Sequence, residues 1–132
     1  MAGSQKRDLL IADGSPGIGC PVIASITGAQ MALVVTEPTL SGLHDMKRVA
    51  ELTRHFKTKA VVCINKADIN PELSDQLERE AEELGLPVLG RIQYDPAVTR
   101  AQVHGRSVVE NGDSPAAREI CALWERVRDA IA

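Results

Sequence analysis

The first group in this chain able to do chemistry is an aspartate followed by three closely spaced glycines, Asp13-Gly14-Ser-Pro-Gly17-Ile-Gly19. The acid directly follows the apolar run Leu9-Leu10-Ile11-Ala12, and at the end of a strand a carboxylate can hold a magnesium ion through water. Gly14, Gly17 and Gly19 let backbone amides approach a terminal phosphate. The plainer reading of the same residues is a turn, with Asp13 as a cap and the glycines at positive φ. Their G-x-x-G-x-G spacing is not the G-x-G-x-x-G order of a dinucleotide turn. A second group, Asn65-Lys66-Ala67-Asp68, follows another apolar run, Ala60 to Ile64. The Asn65 amide can hydrogen-bond a purine edge, and the stem of Lys66 can cover the ring. The four residues spell N-K-x-D, the guanine signature, in which Asp68 accepts the N1 and N2 protons of the base. Asp68 can equally be a turn residue ahead of a helix cap at Asn70.

These groups need elements to position them. Short apolar runs at Leu9–Ala12, Ala32–Thr36, Ala60–Ile64 and Pro87–Leu89 predict strands of a sheet covered on both faces. Between them lie helices with readable ends. Asn70-Pro71 predicts an N-cap with proline at the first helical position, Leu73, Leu77, Ala81 and Leu84 form one face, and Gly85 stops the helix. Asp95-Pro96 and Ser114-Pro115 repeat the device, the second opening a helix whose Ile120, Trp124, Val127 and Ile131 share a side. A less regular stripe of Met46, Val49, Ala50 and Phe56 predicts a helix from about Gly42 to His55, with Thr39 or Ser41 as its cap. Cys20-Pro21 marks a further helix start, and Asn111-Gly112-Asp113 a turn. Strands alternating with crossover helices predict an α/β three-layer sandwich with a mostly parallel sheet, one domain over residues 1–132. In such sheets ligands sit beyond the carboxyl ends of the strands, where both chemical groups fall.

Three stretches in order, Asp13 to Ser25, Thr36-Glu-Pro-Thr-Leu-Ser-Gly-Leu-His-Asp45 and Asn65-Lys-Ala-Asp-Ile-Asn70, resemble the ParA/MinD-superfamily ATPases. The resemblance is collinear from Asp8 to about Ala117, and it is nearest to the branch that carries an inserted ferredoxin domain. It implies a P-loop NTPase-like fold, ATP and magnesium as ligands, and a dimer with nucleotide between subunits. By resemblance Asp13 is the Walker B acid, holding magnesium through water, and Gly14 to Gly19 are the switch that senses the γ-phosphate. The resemblance also favours adenine over guanine beside Asn65, and places a second base-side loop at Gly90–Pro96. Two residues depart from the family pattern: Ser15 stands where proline is frequent, and so does Gln93.

The phosphate cradle of that family is not in the sequence. No G-x-x-x-x-G-K-[ST] loop precedes Asp13, so the principal set of amides and the lysine that hold a triphosphate are missing. The chain reads as the C-terminal half of such a domain, incomplete as a catalyst, and independent ATP hydrolysis is not expected. No iron-sulfur cluster is expected in this chain, because the cysteine-bearing insertion would lie upstream. Loss of the P-loop strand exposes strand edges, which predicts a homodimer or pairing with a separate N-terminal half. Two other functions stay open: a protein-interaction module that kept only the fold, and a GTPase-like fragment resting on Asn65–Asp68.

Composition narrows the classes further. Hydrophobic residues at 44% and charged residues at 25% give the balance of a globular chain and exclude a disordered one. A net charge of -3 and only Phe56, Tyr94 and Trp124 as aromatics argue against nucleic acid as a partner. Cys20, Cys63 and Cys121 are far apart and odd in number, which suits a reducing cytoplasmic setting. Cys63 and Cys121 read as packing residues, and Cys20 as a helix-start residue or a thiol acidified by the helix dipole. His44, His55 and His104 have no metal-ligand spacing. No apolar run is long enough to span a bilayer.

Overall fold

Three of the four β-branched runs pair as parallel strands: β1 (Met31–Thr36), β2 (Lys59–Asn65) and β3 (Val88–Ile92), in the order β1-β2-β3. They are seen in a computed structural model that describes residues 9–14, 26, 28–110 and 113–131. Val34 faces Val62 across the first pair and Ile64 faces Arg91 across the second, with a register irregularity between Val62 and Cys63. Four helices follow the strands: α1 (Leu40–His55), α2 (Pro71–Glu83), α3 (Pro96–Val103) and α4 (Pro115–Ile131), with a 3-10 turn at Val108–Glu110.

The layering follows from handedness. Both crossovers step in the same direction along the sheet, so right-handed connections must place α1 and α2 on the same face. There Leu43, Met46 and Ala50 of α1 and Leu77 and Ala81 of α2 close over Ala60, Val62 and Ile64 of β2. On the other face Leu123 and Val127 of α4 pack against Cys63, Leu89 and Ile92. The result is the expected three-layer α/β arrangement.

The helix starts read at Asn70-Pro71, Asp95-Pro96 and Ser114-Pro115 are confirmed. Asn70 accepts from the Leu73 amide at 3.1 Å, Asp95 from Ala97 at 2.9 Å and Ser114 from Ala117 at 3.2 Å. Thr39 caps α1 by accepting from the Gly42 amide at 2.8 Å, and α1 begins two residues earlier than expected. Glycine is required at position 42, because a Cβ there would collide with the Glu37 carbonyl oxygen. Gly85 ends the α2 region at φ +79, a left-handed conformation that favours glycine.

Four expectations need correction. Leu9–Ala12 is not a strand: the segment is irregular, and Leu10 and Ile11 are 69% and 74% exposed. A run apolar on both faces needs a neighbouring strand and cover on each side, and the described residues supply neither. The buried face of α4 runs through Leu123 and Val127, whereas Trp124 is exposed, since i+3 and i+4 steps from Ile120 diverge by about 100°. Phe56 is the exposed cap residue of α1, with Leu43 and Thr53 completing its buried stripe. Cys121 is exposed on α4 and is not a packing residue. The expected helix start at Cys20-Pro21 and the Asn111-Gly112 part of the turn lie outside the described residues.

Candidate functional site

Every strand of the sheet points its carboxyl end at one rim, and there the loops are tied to one another. After β1, Glu37 reaches the Lys66 ammonium at 3.5 Å in the loop after β2. Lys66 sits at φ +52, a conformation that a non-glycine residue adopts only when its surroundings hold it there. The Asn65 side-chain oxygen accepts from the Lys66 amide at 3.0 Å, and the Ala67 amide donates to the Ile92 carbonyl of β3 at 2.9 Å. Ser74, fully buried in α2, donates to the Ala67 carbonyl at 2.7 Å and so fixes the same loop from beneath.

The next tie joins the second and third loops. One oxygen of the Asp68 carboxylate accepts from the Tyr94 amide at 2.7 Å. Beyond it the Gln93 amide donates to Glu119 of α4 at 3.1 Å. Asp95 then serves two helices at once: one oxygen caps α3 through Ala97, and the other accepts from the Ala116 amide at the start of α4 at 3.1 Å. These backbone donors hold the Asp95 carboxyl below its usual range, the Ala97 bond contributing most. Gly90 lets α4 approach β3, with Leu123 Cδ1 positioned 3.4 Å from where a Cβ would be.

The residues flagged in the sequence divide on this map. Asn65, Lys66 and Asp68 come together on the rim at the end of the central strand, the first two partly buried and the third exposed. Asp13 and Gly14 are exposed in the irregular segment after Ala12 and do not stand at a strand end. Gly17 and Gly19 lie outside the described residues. Among the described residues no group of three or more His, Cys, Asp or Glu side chains forms a metal cluster, and no helix is long and apolar enough to cross a membrane. Cys63 is inert packing: burial pushes its thiol up to about 11, with the charge of Glu119 adding to the effect. The cross-loop bonds of Glu37, Tyr94 and Glu119 were missed, since their partners lie 26 to 29 positions away and no local motif marks the pairing, although Tyr94 falls in the Gly90–Pro96 loop expected beside the base. The Asp95-Pro96 pair did signal a cap, but not its second helix.

The bare region is β1. Its odd-numbered side chains face the α4 side of the sheet, where Met31 packs against the Cys63, Leu123 and Val127 cluster but Leu33 and Val35 are 41% and 59% exposed. β1 pairs with β2 alone, and its other edge carries no partner among the described residues.

No family model matches the chain. An uncharacterized ATP-binding protein of Methanocaldococcus jannaschii is 36% identical over 125 residues, which span 92% of this chain and 47% of that protein. The iron-sulfur cluster carrier protein of Pyrococcus furiosus is 27% identical over 136 residues, 92% of this chain and 45% of the relative. The MinD cell division protein of Aquifex aeolicus superposes with a TM-score of 0.82 at 22% identity, over 97% of this chain and 56% of that one. The chain therefore spans about half the length of the proteins it matches.

Proposed function

We propose that this chain, which matches about half the length of its relatives, is a ParA/MinD-superfamily member that supplies the base-binding half of an ATP site. The observation that carries this reading is Asn65, partly buried at the carboxyl end of the central strand in a loop whose neighbours are pinned on both sides. Its oxygen keeps a second lone pair after accepting from Lys66, and its amide nitrogen makes no hydrogen bond among the described residues. That amide fits a purine edge, which offers an acceptor beside an amino group.

The described residues do not fit magnesium by themselves. Magnesium is held by one or two carboxylates together with phosphate oxygens, and Asp13 stands alone in an exposed segment. The Walker B role of Asp13 and the phosphate-sensing role of Gly14, Gly17 and Gly19 belong to the assembled site, and no catalytic step is assigned to this chain alone.

The bare β1 edge, with Leu33 and Val35 beside it, supports a second element of the reading: the chain works with a partner, either a second copy or a complementary half. The same surface favours the rival reading, an interaction module that binds no nucleotide. Amide-shift titration with Mg-ATP, Mg-GTP and a pyrimidine nucleotide separates the two. Shifts centred on Asn65 with Mg-ATP support nucleotide binding, and silence with all three leaves the interaction module. Light scattering that shows a monomer at high concentration removes the second-copy partner.

A further inference from the structure

The N-K-x-D stretch of this chain spells a guanine reader but is wired differently. A guanine-reading aspartate must present both carboxylate oxygens to the N1 and N2 protons of the base, and that demands a side chain pointing at the ligand with no competing donor. Asp68 instead has Oδ1 committed to the Tyr94 amide at 2.7 Å, a short charge-assisted bond between loops 26 residues apart. Lys66 is likewise drawn to Glu37 across the rim. Asp68 and Lys66 are thus each engaged by a neighbouring loop, whereas the Asn65 side chain bonds only to the amide of the next residue among the described residues.

We propose that Asp68 is a positioning residue: its carboxylate locks the loop after β3 onto the loop after β2, setting the purine-facing rim without contacting the base. The proposal rests on the base-binding reading above for its ligand. The lock itself is a property of the free protein. Three observations converge on it. The Ala67 amide bonds to the Ile92 carbonyl, so the two loops already meet on one side of Asp68. Ser74 fixes Ala67 from the buried side, which removes slack from the segment that carries Asp68. Directly after Tyr94, Asp95 joins α3 to α4, so the loop that Asp68 grips is anchored at its far end.

The test compares the full chain with Asp68→Ala and Asp68→Asn. Asparagine keeps an oxygen able to accept from Tyr94 but loses the paired acceptors that guanine needs, and alanine loses both. Without nucleotide, Asp68→Ala is expected to speed exchange of the Tyr94 amide about tenfold, with Asp68→Asn restoring most of the protection. In titrations with Mg-ATP, Asp68→Ala is expected to weaken binding about five- to tenfold at a temperature well below its melting transition, and Asp68→Asn to bind as the unaltered chain does. Unchanged Tyr94 exchange in Asp68→Ala overturns the lock. Preference of the unaltered chain for Mg-GTP, abolished by Asp68→Asn, overturns it in favour of a guanine reader. Silence of Asn65 toward every nucleotide, with Tyr94 protection still dependent on Asp68, sinks the nucleotide reading and the positioning role while the inter-loop bond stands, so the two failures are distinguishable.

Discussion

The two edges of the sheet are finished to different degrees. Along β3 the chain has α4 packed over Gly90, two acidic side chains holding the following loop, and a carboxylate that serves two helices. Along β1 it has an unpaired edge, two exposed aliphatic side chains and a preceding apolar segment that pairs with nothing among the described residues. The loops after β2 and β3 are thus tied together before any ligand arrives, and such pre-organisation lowers the ordering cost of binding there.

The largest expected effect breaks or confirms that contrast directly. Ile64→Ala, at a fully buried site in the central strand, should lower the unfolding free energy by about 2–5 kcal/mol in a urea titration. Val35→Thr, on the bare face, should change it by less than about 0.5 kcal/mol. A comparable loss at Val35 would mean that the β1 face is covered in solution. Gly42→Ala comes next. It must displace the Glu37 carbonyl at the start of α1 and should cost about 1–3 kcal/mol despite the better helix propensity of alanine.

A smaller effect sharpens the finished side. The folded-state pKa of Asp95 is depressed, so its contribution is fully present above its ordinary value of 3.8 and is lost as pH falls through the depressed value. Urea midpoints measured from pH 6 down to pH 2.5 should therefore fall less steeply for Asp95→Asn than for the unaltered chain below about pH 4. Equal slopes would remove Asp95 as the bridge between α3 and α4. The smallest effect concerns thiols. Cys121 should react with a maleimide at pH 8 in the native protein, and Cys63 only on unfolding, as peptide mapping of the modified chain would show.

What could be read from the sequence was whatever is decided locally. Asn70-Pro71, Asp95-Pro96 and Ser114-Pro115 announced three helix starts because a cap and the amide that donates to it lie within three residues. The run at Ala60–Ile64 announced a strand because β2 is buried on both faces, and the run at Ala32–Thr36 announced one although Leu33 and Val35 on one of its faces are exposed. Leu9–Ala12 has the same composition, but a strand exists only with a partner, which composition does not provide. Trp124 was placed with the α4 core because helical periodicity allows either the i+3 or the i+4 neighbour, and packing against Gly90 selected Leu123. In the site, Asn65, Lys66 and Asp68 were legible as a group with base chemistry. The partners that give Asp68 and Lys66 their geometry, Tyr94 and Glu37, come from other loops and were not.

The path of α4 carries a practical consequence for anyone handling this molecule. The helix starts at the rim, where Ala116 meets Asp95, and ends where the Ala130 carbonyl accepts from Lys59 at the opposite end of the strands. Its 17 residues, at about 1.5 Å each, carry the chain about 25 Å away from the loops of the rim. A dye, affinity tag or surface tether attached behind Ile131 would leave the rim unobstructed, so immobilised chain could be probed with ligands on the face that matters.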